Sequence, residues 1–146
     1  MTAPGHAPLR ALALKVLAPH AAPGAGAEAL AAAARRAYDD LARVSAPLIG
    51  QAGVDALFGR ALHLTQRQYP WLVPPGDPQQ SEGLFARVIF GLERQDPAVA
   101  TEAAAALFAT LTGLLVTFIG EPLTARLLRK AWPDAFSEAD KEETRA

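Results

Sequence analysis

One cluster of polar side chains in this chain has the residue types and spacing for binding chemistry. Arg60, His63 and Arg67 are separated by three and four residues, so a helix places them on one face. Two guanidinium groups beside an imidazole attract a phosphate or a carboxylate. Tyr69 and Trp71 follow directly. These five residues are the candidate site for an anion or an acidic partner, and an ordinary solvated helix face is the alternative.

His63 also suggests a phosphotransfer relay, because helical bundles that relay phosphoryl groups expose one histidine on a helix. Such domains usually follow that histidine with a basic residue and with a glycine that lets the receiver domain approach. The residues that follow His63 include Arg67 but no glycine before Gly76. The relay is therefore kept as an alternative to partner binding.

Other constellations that would indicate catalysis, a metal or a cofactor are missing from the sequence. The chain has no cysteine, which excludes thiolate nucleophiles and cysteine-ligated metal sites. His6 and His20 have no partners at ligand spacing, and no serine stands in a Gly-x-Ser-x-Gly turn. Adjacent carboxylates such as Asp39 and Asp40 diverge on a helix. The prediction is a protein that is not an enzyme and that holds no metal or cofactor.

The longest uncharged stretch, residues 103–120, decides the architecture. A helix of this length spans roughly 27 Å, close to the roughly 30 Å of a bilayer core. Its alanines, threonines and glycines favour insertion little, and no aromatic belt flanks it. We therefore predict a wholly buried central helix in a soluble protein rather than a membrane span.

Small residues form a stripe along this stretch at steps of four and three, which places them on one helix face: Ala106, Thr110, Gly113, Thr117 and Gly120. Such a stripe lets two helix backbones approach closely. It predicts a helix-pairing face, with packing inside the chain and a homodimer seam as the two alternatives.

Composition limits the choice of class, partner and compartment. The 146 residues suit one domain, and the formal net charge of −1 argues against nucleic acid as a partner. Lys15 interrupts the apolar run that follows Arg10, so a secretory signal is not expected, and the predicted location is cytoplasmic. An excess of Arg over Lys and abundant Ala are typical of a GC-rich, bacterial genome.

Periodicity predicts an all-α, single-domain bundle of five or six helices around a central apolar helix at about 97–119. Residues 1–26 are predicted to be a flexible segment with a short helix, 27–133 the bundle, and 134–146 a charged tail. No internal repeat is apparent in the sequence.

The helix boundaries follow from local signals. A break or kink is predicted at Ser45 and Pro47, and the next helix is expected from about Val54 to Gln68. Ser81 is a good N-cap for a helix that ends near Gln95. The pair Asp96-Pro97 predicts the start of the central helix. Gly120-Glu121-Pro122 predicts its end, and a final helix reaches Trp132.

The leading hypothesis is a helical protein-interaction or regulatory module whose partner is another protein or a second copy of itself. The alternative from another class is a binder of a small apolar ligand between helices. Its pocket would be walled by four large aromatic side chains: Phe85, Phe108, Phe118 and Trp132.

Overall fold

The computed structural model describes residues 6–17, 26–72, 84–133 and 135. Within these ranges it contains no strand and six α-helices, with one turn of 3₁₀ helix at Pro70–Leu72. The helices are α1 (His6–Leu17), α2 (Ala27–Ile49), α3 (Gln51–Gln66), α4 (Leu84–Glu93), α5 (Pro97–Ile119) and α6 (Glu121–Ala131). The predicted all-α bundle around a central apolar helix is confirmed.

The central helix α5 begins where the sequence predicts. Asp96 caps it, because its Oδ1 accepts a hydrogen bond from the backbone N–H of Ala98 at 2.9 Å, and Pro97 occupies the first turn. Residues 103–109 are all buried. Five of these seven side chains are alanines, which allows the other helices to pack closely against α5 on several sides.

Length and composition alone would allow α5 to cross a membrane, and 56% of its most apolar stretch is buried by the rest of the chain. The central helix of a soluble protein has the same two features, so this test is weak evidence for a membrane span.

The prediction that the central helix is wholly buried is wrong at its C-terminal end. The Phe118 side chain is 63% exposed, Thr117 is exposed, and Leu114 is only half-buried. The last turn of α5 lies near the end of α2, since Ile49 and Leu115 line the same small void.

The predicted break at Ser45 and Pro47 is also wrong, because α2 continues to Ile49. Pro47 lies in the last turn, where its missing N–H removes one helical hydrogen bond. The backbone N–H of Gly50 then donates to the carbonyl of Ala46 at 2.7 Å and closes the helix. The next helix therefore starts directly after Gly50, three residues before the predicted Val54.

The helix that was predicted from Ser81 to Gln95 is shorter in the structure, because α4 ends at Glu93. Ser81 itself, and all but Ala135 of the predicted tail 134–146, lie outside the described residues.

The structure contains an internal repeat that the sequence analysis missed. The long helices α2 and α5 each have 23 residues, and each ends in Ile-Gly. Gly50 has φ 83° and ψ 154°, Gly120 has φ 92° and ψ 157°, and a helix follows each glycine at once. This backbone region is nearly restricted to glycine. The helices α1–α3 and α4–α6 are called the first and second half below.

The two halves pack on each other reciprocally. The short helix α1 packs against α5, and the short helix α4 packs against α2. In the same way α3 contacts α5, and α6 contacts α2. Reciprocal contacts of this kind are the pattern that a two-fold axis produces between two identical subunits. Here the pattern arises within one chain.

The predicted short helix of the N-terminal segment is α1, and it belongs to the bundle. Ala13 and Leu17 are buried in the main core, and Leu9 lies beside Gly113 of α5. Arg10 forms an ion pair with Glu102 across the same interface.

Candidate functional site

The structure separates the predicted polar cluster into two parts. Arg60, His63 and Arg67 are all exposed, as both a binding face and an ordinary solvated helix face require. Tyr69 and Trp71 are half-buried and pack against the core, with their ring centroids 6.0 Å apart in an edge-to-face arrangement. The rings are therefore partly used in packing.

A close backbone contact fixes the segment that carries Trp71. A Cβ atom added to Gly91 of α4 would lie 2.6 Å from the carbonyl oxygen of Leu72 and 3.2 Å from that of Trp71. Only glycine allows α4 to approach the 3₁₀ turn this closely. Because Leu72 is fully buried, this turn is an integral part of the fold.

The predicted small-residue stripe on α5 is partly covered by α1. Ala106 is buried, and a Cβ at Gly113 would contact Leu9 of α1 at 3.6 Å. Thr110 and Thr117 donate their hydroxyls to the carbonyls of Ala106 and Gly113 in the helix itself, at 2.8 and 3.1 Å. The stripe thus forms an intrachain helix contact at Gly113, while Thr117 near its end is exposed.

A cleft of about 440 Å³ opens between the C-terminal ends of α1 and α6 and the middle of α2. Four cationic side chains line it: Lys15, Arg36, Arg43 and Lys130. Asp40 is the one carboxylate among its described lining residues. We call this site the basic cleft.

Small side chains make room for the basic cleft. Ala33 and Ala37 of α2 and Ala131 of α6 are buried beneath it. Trp132 closes one end, and its Nε1–H donates a hydrogen bond to the carbonyl of Ala37 at 3.0 Å. The same indole meets Phe108 edge to face at 5.9 Å. The cleft therefore has an apolar floor beneath charged walls.

The charges in the basic cleft are mostly available to a ligand. Lys15, Arg36 and Lys130 are exposed, and none of them has an ion-pair partner among the described residues. Arg43 pairs with Asp40 at 3.4 Å, whereas the sequence spacing suggests Arg36 as the partner of Asp40. A ligand with several carboxylate or phosphate oxygens would meet a net positive surface here.

The helix dipole explains only some of these cations. Lys15 and Lys130 lie in the last turns of α1 and α6, where positive side chains are favourable next to unpaired carbonyls. Arg36 and Arg43 lie in the middle and the last third of α2, whose last turn contains no basic residue. The convergence of all four is a tertiary feature.

The basic cleft is not apparent in the sequence because its residues come from three distant segments. Arg36 reads as part of a solvated helix face, and Lys130 reads as a dipole-stabilising residue. One local signal is present on α2. Ala33 and Ala37 lie four residues apart, so their small side chains leave a groove on one face of the helix, next to the positive charge of Arg36.

The second polar feature of the structure is Tyr38. Its ring stacks on Phe85 with 4.3 Å between the ring centroids and contacts Phe58 with 4.8 Å between the centroids. Burial, together with the nearby carboxylates of Asp55 and Asp39, raises the pKa of Tyr38 to about 12. The phenol therefore stays neutral at ordinary pH and serves packing.

No protein-family model matches this chain, and no curated protein or solved structure is significantly similar to it.

Proposed function

We propose that this protein is a non-enzymatic interaction module that binds an acidic segment of a partner protein in the basic cleft. The observation that carries the proposal is the convergence of cationic side chains from three helices above an alanine floor. The cations lie on separate helices, so one small ion cannot contact all of them. An extended acidic peptide can, because its carboxylates are spread along the chain.

Binding is favoured over catalysis by the chemistry of the lining. A general acid or base must be free to move a proton, and Asp40 is held by Arg43. The remaining charged groups of the described lining are lysines and arginines, which attract and orient anions. Nucleic acid is a poorer fit, since the net charge of the chain is −1 and only four of its 14 lysines and arginines are among the described residues that line the cleft.

The test is the binding of a dye-labelled oligoglutamate peptide to the full chain, followed by fluorescence anisotropy. Arg36→Glu should weaken binding about tenfold or more, because it reverses a charge in the cleft. Arg35→Glu is the matched control: Arg35 is the neighbouring exposed arginine on α2 and does not line the cleft. Its effect should stay within about threefold.

Equal losses in the two variants would mean that only the overall charge matters and would refute a cleft site. A labelled single-stranded oligonucleotide and inorganic phosphate serve as competitors in the same assay. Displacement by the oligonucleotide at lower concentration than by unlabelled oligoglutamate would point to nucleic acid instead.

The alternative of an apolar ligand receives less support. Its four proposed wall residues lie in different surroundings: Phe85 stacks on Tyr38, Phe108 and Trp132 contact each other, and Phe118 is exposed. The void next to Leu111 and Leu115 measures about 10 Å³, enough for about one water molecule. A pocket for a small molecule needs roughly 300 Å³. The basic cleft exceeds that volume, but Trp132 is the one proposed wall residue among its described lining residues.

The buried Oγ of Ser45 borders this void and has no hydrogen-bond partner among the described atoms.

Self-association, a cytoplasmic location and a relay through His63 remain predictions. A homodimer that used the small-residue stripe would have to form at Thr117 or displace α1, because Leu9 already lies at Gly113. Sedimentation analysis of the purified protein without detergent tests both self-association and solubility.

A further inference from the structure

We propose that the acidic segment 138–143 of this same chain binds in the basic cleft and competes there with the partner. The inference rests on the proposed function, since both ligands use one site. A spin label on the segment locates it independently of partner binding, so one proposal can be refuted while the other stands.

The first argument is charge complementarity. The segment that follows Ala135 contains four carboxylates (Glu138, Asp140, Glu142 and Glu143) against the two basic side chains of Lys141 and Arg145. The described walls of the cleft carry four cations and one carboxylate. No other stretch of the sequence has as many carboxylates in so few residues.

The second argument is the point at which the chain leaves the bundle. Trp132, Pro133 and Ala135 are themselves lining residues of the cleft. Three residues of extended chain reach at most roughly 10 Å, so the covalent connection is long enough to bring Glu138 to the rim. The tether therefore allows the acidic segment to reach the cationic walls.

The third argument is thermodynamic. Single exposed ion pairs are weak, roughly 0.2–1 kcal/mol each. A tether of a few residues gives the segment an effective concentration in the millimolar range, so a few weak pairs suffice for substantial occupancy. A partner in solution must then bind tightly enough to displace a ligand that is always present.

The direct test uses the full chain. Because the protein has no cysteine, Thr144→Cys provides a single site for a nitroxide spin label. Paramagnetic broadening of backbone amide signals should be strongest at Ala33, Ala37 and Ala131, the buried floor of the cleft. It should fall sharply at 1 M salt, where the Debye length is about 3 Å.

The matched variant keeps the length and replaces the four carboxylates by amides: Glu138→Gln, Asp140→Asn, Glu142→Gln and Glu143→Gln. With the same label, broadening at the floor of the cleft should weaken severalfold, to the level that the tether alone produces. Broadening of equal strength in this variant, or none at the floor in the unmodified tail, would overturn docking of the segment.

Competition is read with the oligoglutamate peptide. The amide variant should bind it about threefold to tenfold more tightly than the natural chain. Equal affinities together with broadening at the cleft would overturn the competitive role. If the amide variant fails to bind the peptide at all, the proposed function is wrong, while the broadening still decides where the segment lies.

Discussion

The two halves of the molecule present the same helix face in opposite ways. At the spacing that separates Gly50 from Gly120, Arg36, Asp40 and Arg43 of α2 correspond to Ala106, Thr110 and Gly113 of α5. On α5 this face is uncharged and α1 lies across it. On α2 it is charged and lines the open basic cleft. The equivalent positions of the two long helices therefore differ both in charge and in exposure.

The ring contacts inside each half show a second, smaller difference. Tyr38 of α2 and Phe108 of α5 are equivalent positions. The ring of Tyr38 contacts Phe58 of α3, with 4.8 Å between the ring centroids. The ring of Phe108 contacts Trp132 at the end of α6, with 5.9 Å between the centroids. The first half adds Phe85 of α4. Aromatic side chains thus tie each long helix to the helix that follows it, but only the first half uses a ring that can ionise.

Exchanging residues between the two equivalent faces should give the largest effect. Ala106→Arg would place a guanidinium group at a buried position of α5, and we expect a loss of about 3–5 kcal/mol in the free energy of unfolding. The reciprocal change Arg36→Ala removes an exposed side chain and should change stability by about 0.5 kcal/mol or less. Urea denaturation followed by circular dichroism measures both. Similar values for the two variants would contradict the assignment of one covered and one open face.

The two glycine junctions should respond alike. Gly50→Ala and Gly120→Ala each force a side chain into a backbone conformation that costs about 1–3 kcal/mol. No atom lies within 4 Å of a Cβ at Gly50, so backbone strain alone is responsible there. Thermal or urea unfolding reports the loss.

Gly59→Ala is the control for these junctions, since Gly59 lies inside α3 with open space around its Cβ position. It should stabilise the protein by about 0.5–1 kcal/mol. A large loss at one junction and none at the other would show that the halves are not equivalent.

The smallest expected effect concerns alkaline pH. The pKa of Tyr38 rises from 10.0 to about 12 on folding, so its phenolate forms more readily in the unfolded chain. The associated stability is fully present below pH 10 and is lost as the pH rises towards 12. Tyr38→Phe copies the second half at this position and should abolish that part of the decline. Urea unfolding at a series of pH values compares the two proteins; an unchanged decline would exclude Tyr38 as its source.

Local signals in the sequence were reliable where one short-range interaction decides the structure. Asp96-Pro97 predicts the start of α5, and the observed cap at Ala98 follows from the same chemistry. Of the break or kink predicted at Pro47, the break was wrong, because a proline costs one hydrogen bond and the last turn of α2 tolerates that loss.

The internal repeat could not be seen in the sequence because few positions keep the same residue type. Gly50 and Gly120 are identical, but Ser45 corresponds to Leu115 and Val54 to Thr124, and all four are buried. Burial constrains side-chain volume and environment more than identity. The repeat therefore survives in helix length, junction geometry and packing.

The sequence by itself determined the helical class, the apolar central helix, its cap and the solvent-facing side of α3, because helical periodicity and capping depend on residues close together in the chain. Only the tertiary structure decided which face of which long helix is covered, and where Lys15, Arg36 and Lys130 meet. Those outcomes depend on contacts between segments far apart in the sequence, for which the spacing of residues along the chain carries no signal.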